Sequence, residues 1–339
     1  MNSKLEYFFE ISFPAFLVFL VSSCNTEKHP AKQQSFESEV SQSDTEYMKD
    51  WFLSTGDWNT DPQIYVREFG TGKDTIVLLH GGWGAEHSGM IDMVKGLSKE
   101  YKFFACEQRG SLRSPFPDSL ITYNNHIEDV ERLRKELRVQ KLTLLGHSMG
   151  SVLASAYAKR YPEHIEKLVL VSPAFLKNPV PDKEMELLQN SQNAYESFAT
   201  NERLDNELKH QNLLREQPKL SSKEATIRNR INFAHMMLYD IGKWNRLNNG
   251  RALYKGNVYG LTESTYPEEG WNFIEDFKEE SYPVSVIIGD HDRFDMGNHI
   301  FRKWTAEIPR VNFVSIKNAG HLLWIDQPEI LTTTLRKHL

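Results

Sequence analysis

Apolar runs recur along this chain at spacings that suit a buried sheet. Residues 64–69, 75–79, 102–106, 141–145, 167–172, 283–288 and 311–316 read as strands, and segments of helical periodicity such as Ile127–Arg134 and Ser151–Ala158 fall between them. Strand and helix in alternation predict an α/β fold, a mostly parallel sheet covered by helices on both faces. The texture changes over residues 174–281, where Met185, Leu187 and Leu188, then Ile231, Phe233, Met236 and Met237, keep helical spacing and no strand stands out. That predicts a helical insertion between a first part of the core at 46–173 and a second at 282–339. The fold is expected to begin at Trp51-Phe52-Leu53 or at the alternating strand from Gln63.

Candidate chemistry gathers at the ends of these strands. Ser148 lies in Gly146-His147-Ser148-Met149-Gly150, between an apolar run and a helical one. So sharp a strand-to-helix turn needs glycine on both sides of the serine, where a Cβ would have no room. An ordinary serine in a glycine-rich turn is the plainer alternative, and the residues downstream argue against it. Asp290 and Asp292 stand just past the strand at 283–288, and His321 follows the strand at 311–316. A free serine hydroxyl is a weak nucleophile. His321 would take its proton during attack and return it to the leaving group, while an aspartate fixes the imidazole tautomer. Asp292, farther out in the loop, is the expected partner; Asp290 is then a turn or capping residue, with the reverse assignment still open. His291 and His299 read as surface residues. Acyl transfer also needs backbone N–H groups aimed at the developing oxyanion, for which Met149 and Gly82 in His80-Gly81-Gly82-Trp83-Gly84 are the candidates.

These motifs together resemble the α/β-hydrolase superfamily, and within it the proline iminopeptidase-like branch of serine peptidases. His80–Gly84 is similar to that branch's H-G-G-P-G, and Glu107–Ser114 to its D-Q-R-G-x-G-x-S. Ile127–Arg134, Tyr161-Pro162-Glu163 and the stretch from Gly320-His321 to Gln327-Pro328-Glu329 extend the likeness. Trp83 stands where the branch has proline, Leu112 where it has glycine and His147 where it often has serine. The resemblance implies that residues 174–281 form a lid over the active site, and that the enzyme releases N-terminal residues from short peptides through an acyl-enzyme at Ser148. Such an aminopeptidase needs lid carboxylates for the substrate's free amine, and Glu186, Glu196, Glu207, Glu216 and Asp240 are candidates. The branch's W-x-x-W-E segment does not align onto Lys243–Arg246 with a glutamate in place. An esterase or other small-acyl hydrolase is therefore the alternative, and a catalytically silent surface binding module a further one. Phe233, Met236, Met237, Trp244 and Trp271 are candidates for an apolar pocket, with packing between helices as the other reading. Arg109 and Arg113 are read as loop-holding salt bridges rather than as ligands for a substrate carboxylate.

Composition narrows the field. Lys and Arg number 40 against 46 Asp and Glu, a net charge of −6, and no basic block interleaves with aromatics, so nucleic acid is not an expected partner. The 12 histidines are scattered, and neither H-E-x-x-H nor C-x-x-C nor a P-loop occurs; no metal and no cofactor is expected. At the N-terminus, Ile11–Val21 is an apolar run shorter than the ~18 residues of a membrane-spanning helix but suited to a signal peptide. It ends in Val21-Ser22-Ser23-Cys24, which resembles a bacterial lipobox. The expectation is a signal peptide over 1–24, lipidation of Cys24, a polar tether over 25–45 and an exported, membrane-anchored enzyme of the cell envelope. Cys106, the other cysteine, reads as a small core residue.

Overall fold

The computed structural model describes residues 49–214, 220–306, 308 and 310–339. The expected leader, tether and Cys24, and also Glu216, lie outside these residues. Eight strands make one sheet: β1 (Lys49–Ser54), β2 (Gln63–Phe69), β3 (Asp74–Leu79), β4 (Tyr101–Cys106), β5 (Leu142–Ser148), β6 (Ile165–Pro173), β9 (Val284–Gly289) and β10 (Val311–Ile316). Their order is β1-β2-β4-β3-β5-β6-β9-β10. β1 and β2 pair antiparallel, as do β2 and β4; every other pair is parallel. This is the mostly parallel sheet that the alternating pattern implied, in the α/β-hydrolase fold that the resemblance implied.

Alternation along each strand sends successive side chains to opposite faces. Val77 and Leu79 join a cluster with helices α2 (Tyr123–Glu136), α3 (Met149–Arg160), α8 (Phe273–Glu279) and α9 (His299–Thr305). Ile76 and Leu78 join a second, with α1 (Ser88–Val94), α10 (Leu323–Asp326) and α11 (Pro328–His338). Because both faces are covered, the central strands are buried along nearly all their length, β9 along all of it. β1 was not among the strands expected from periodicity, since Leu53 is its one buried residue. An edge strand that buries so little leaves no period to read.

The insertion carries α4 (Met185–Phe198), α5 (Asn201–His210), α6 (Ser222–Met237) and α7 (Asn257–Glu263). Its expected freedom from strands is corrected at two points. β7 (Lys177–Asn178) pairs antiparallel with β8 (Trp271–Asn272) and ties the two ends of the insertion together. Two-residue strands are too short to show a period. Beyond them, Phe273, Ile274 and Phe277 of α8 pack into the core, so residues 273–279 belong with the sheet rather than with the helices above it.

Candidate active site

Ser148 sits at the join of β5 and α3 with φ 51° and ψ −121°, a left-handed backbone that a residue with a Cβ holds only where its surroundings enforce it. The flanking glycines show how. A Cβ on Gly146 would lie 2.5 Å from the Gly150 carbonyl oxygen, and one on Gly150 would lie 2.1 Å from that of Leu79. The β3 loop passes equally close, since a Cβ on Gly81 would fall 2.8 Å from the Ser148 Cβ. Gly82 takes φ +69°, and Met149 opens α3, where the first amides have no carbonyl partner within the helix.

His321 Nδ1 lies 2.9 Å from Asp292 Oδ2. A carboxylate accepts, so Nδ1 carries the proton and Nε2 of the neutral ring is left with its lone pair. Both side chains are almost wholly shielded from solvent. Burial works to raise the Asp292 pKa, but the imidazole of His321 and the N–H of Phe294 outweigh it and leave the group below the usual value. The His321 ring is flanked by His147 and Phe294, with centroids at 4.8 and 4.9 Å. His147 Nε2 donates to the His321 carbonyl oxygen at 3.2 Å. Burial, then the nearby His321, push the His147 pKa down to about 3, so it stays a neutral support. Asp290 takes no part: its carboxylate meets His291 Nδ1 at 2.6 Å.

Comparison with known proteins assigns the family. A family model for the alpha/beta hydrolase fold matches residues 74–328. The chain belongs to that family. A proline iminopeptidase of Flavobacterium johnsoniae is 26% identical over 285 residues, 78% of this chain and 90% of that protein. A 1-acylglycerol-3-phosphate O-acyltransferase ABHD5 of Rattus norvegicus is 35% identical over 105 residues, but the match spans 30% of each chain. Among solved structures, an alpha/beta fold family hydrolase from Bacillus anthracis superposes with a TM-score of 0.63 at 17% identity, covering 86% of this chain and all of that one. An esterase from Exiguobacterium antarcticum gives 0.60 at 18%, covering 84% and 97%. At these identities the superpositions speak for the fold alone.

The remaining candidates fall as follows. Arg109 is buried, with Nε and Nη2 on the two oxygens of Asp129 at 2.7 and 2.6 Å. Arg113 Nη1 meets Glu107 at 2.5 Å, so both arginines hold their loop. Glu86, His87 and Glu107 come within ligand distance of one another, yet Glu107 already accepts from His87 Nδ1 and from Arg113. They form the hub of an ion-pair network. Glu186, Glu196 and Asp240 are exposed, and Glu207 accepts from Trp244 Nε1 and Gln211. Phe233, Met237 and Trp244 pack in a cluster with Leu322 and Ile325, and Trp271 stacks on Tyr123 and Phe273. The aromatic and methionine stripe is thus mostly packing. Trp83 is fully buried, stacked on His126, with Nε1–H donating to Tyr266 Oη at 2.7 Å. Cys106 is buried, and that burial pushes its thiol up to about 12. His291 is half-buried rather than fully at the surface, its ring packing on Phe198 and Tyr239 at 5.0 and 4.6 Å.

Asp326 and Tyr254 went unmarked in the sequence. The buried Asp326 carboxylate accepts from the amides of Gly320 (2.9 Å), Tyr239 (2.8 Å) and Asp240 (3.1 Å). It joins the His321 loop to the insertion, while His321 N–H donates to the Met237 carbonyl at 2.8 Å. The Tyr254 ring comes within 3.8 Å of where a Gly82 Cβ would stand, and the Lys255 amide donates to the Gly84 carbonyl at 2.9 Å. A lone aspartate shortly after a glycine carries no pattern that marks either contact.

Proposed function

We propose that this chain is a serine hydrolase that works through an acyl-enzyme at Ser148. The observation that carries the reading is the pairing of a left-handed serine at a strand-to-helix turn with a buried histidine whose Nδ1 is held by a buried aspartate. His321 Nε2 accepts the Ser148 proton as the hydroxyl attacks an acyl carbonyl, then returns it to the leaving group. Asp292 fixes the tautomer and stabilises the imidazolium formed in between. The amides of Met149 and Gly82 receive the charge that develops on the carbonyl oxygen. Water, activated by the same histidine, then releases the acyl group.

For the substrate, the geometry supports a small ester or related acyl compound best. The described carboxylates of the insertion that were candidates for holding an N-terminal amine are exposed or already bonded. The second reading, an aminopeptidase acting on short peptides, rests on the iminopeptidase relative, whose length this chain nearly spans. Anchoring to a membrane through a lipidated Cys24 on the outer side of the cell is part of the proposal and rests on the leader sequence alone.

The test is intact-mass labelling with a fluorophosphonate. One adduct per chain, absent in Ser148→Ala, is the expected result, and a folded protein that takes up no label would sink the reading. Matched acyl esters and amino-acid arylamides then separate the substrates: ester turnover with no need for a free amine supports the first, and arylamide turnover that needs one supports the second.

A further inference from the structure

Arg293 directly follows the aspartate that holds His321. Its guanidinium lies over two aromatic rings, 5.3 Å from the centroid of Phe294 and 5.8 Å from that of Tyr195 on α4. Phe294 in turn sets its edge against the His321 imidazole at 4.9 Å. The guanidinium is therefore one aromatic ring away from the imidazole, between the loop after β9 and the helices of the insertion.

Among the described residues its charge has no counterion. Nη1 is shielded from solvent without a hydrogen-bond partner, and Arg293 makes no ion pair there. The three aspartates of its own loop are committed elsewhere. Asp290 meets His291, Asp292 meets His321 and the Phe294 amide, and Asp295 accepts from the amides of Ile300 and Phe301. Arg67, Arg109, Arg113, Arg134 and Arg336, by contrast, each pair with a carboxylate.

A guanidinium cannot lose its proton, and a shielded donor without an acceptor is costly. Stacking on two rings offsets part of that cost and holds the planar group in place. A fixed charge with one nitrogen already shielded from water is suited to an incoming anion, and a substrate bound beside His321 can bring one.

We infer that Arg293 is a specificity-determining residue that binds a carboxylate on the substrate, so that the preferred acyl compounds carry a second, anionic group beside the scissile carbonyl. This deepens the serine-hydrolase reading and rests on it. A half-ester of a dicarboxylic acid and a short peptide with a free C-terminus share that chemistry.

The test uses the full chain and two esters with one leaving group, the p-nitrophenyl half-ester of succinate and p-nitrophenyl butyrate, with an alanyl dipeptide and its C-terminal amide as the peptide pair. The native enzyme should favour the charged member of whichever pair it cleaves by roughly 10- to 100-fold in kcat/KM, chiefly through KM. In Arg293→Gln that preference should collapse toward one, and Arg293→Lys should keep part of it. An enzyme that labels at Ser148 yet shows no preference in either pair would overturn the inference and leave the hydrolase reading standing. A parallel fall for charged and neutral substrates in Arg293→Gln would mark a merely structural role and overturn it too. Failure of Ser148 to label would remove the parent reading and this one together.

Discussion

Single residues at the turn between β5 and α3 are tightly constrained. Gly150→Ala puts a methyl 2.1 Å from the Leu79 carbonyl oxygen, and backbone cannot swing away as a side-chain tip would. A loss of about 1–3 kcal/mol is expected, read as a lower urea midpoint at unchanged slope. Asp292→Asn tests a different property, because an amide in place of the carboxylate favours the wrong imidazole tautomer. On the proposed mechanism kcat should fall about 10⁴-fold while fold and urea midpoint change far less. Much of this was legible in the chain, since a serine held between glycines, with an apolar run before it and a helical one after, has the makeup that so sharp a turn requires. The choice between Asp290 and Asp292 was open there because both follow the same strand, and what separates them is which one the His321 loop reaches across the sheet.

Elements follow their periods only as far as burial makes a period. β3 and β5 were readable because both their faces are covered. β1 was not, nor were β7 and β8, whose pairing depends on each other rather than on local sequence. The placement of the insertion was least readable of all, because several of its contacts with the core run through main-chain groups. Asp326 accepts three amides, one from its own loop and two from the distant insertion, and main-chain partners leave no trace in residue type. Asp326→Asn offers an NH₂ group where an acceptor was needed and should cost about 1–3 kcal/mol. Hydrogen exchange should show Gly320, Tyr239 and Asp240 losing protection together, whereas protection unchanged at Tyr239 would mean that other contacts hold the insertion in place. The α6 start is a separate case. Ser221 and Glu224 form a reciprocal capping box, and Ser221→Ala should lower stability by about 1 kcal/mol without changing turnover.

For the molecule as a whole, acid is the condition to watch. Burial tends to raise the Glu107 pKa, but bonds from His87 and Arg113 overcome it and bring it down to about 2. A carboxyl depressed in the folded state stabilises the protein above its unfolded value of ~4.3 and loses that contribution as pH falls toward about 2. Stability should therefore drop between about pH 4.5 and 2. Glu107→Gln should be less stable near neutral pH yet flatter across that window, which urea midpoints at several pH values will show. The antiparallel pair of β7 and β8 bears on the molecule at the same scale. Asn178 faces Trp271, so the chain departs from the catalytic layer and returns to it at one spot. The segment between them is thereby a cassette with a single junction, and a replacement for it has to rebuild the main-chain contacts that hold the His321 loop.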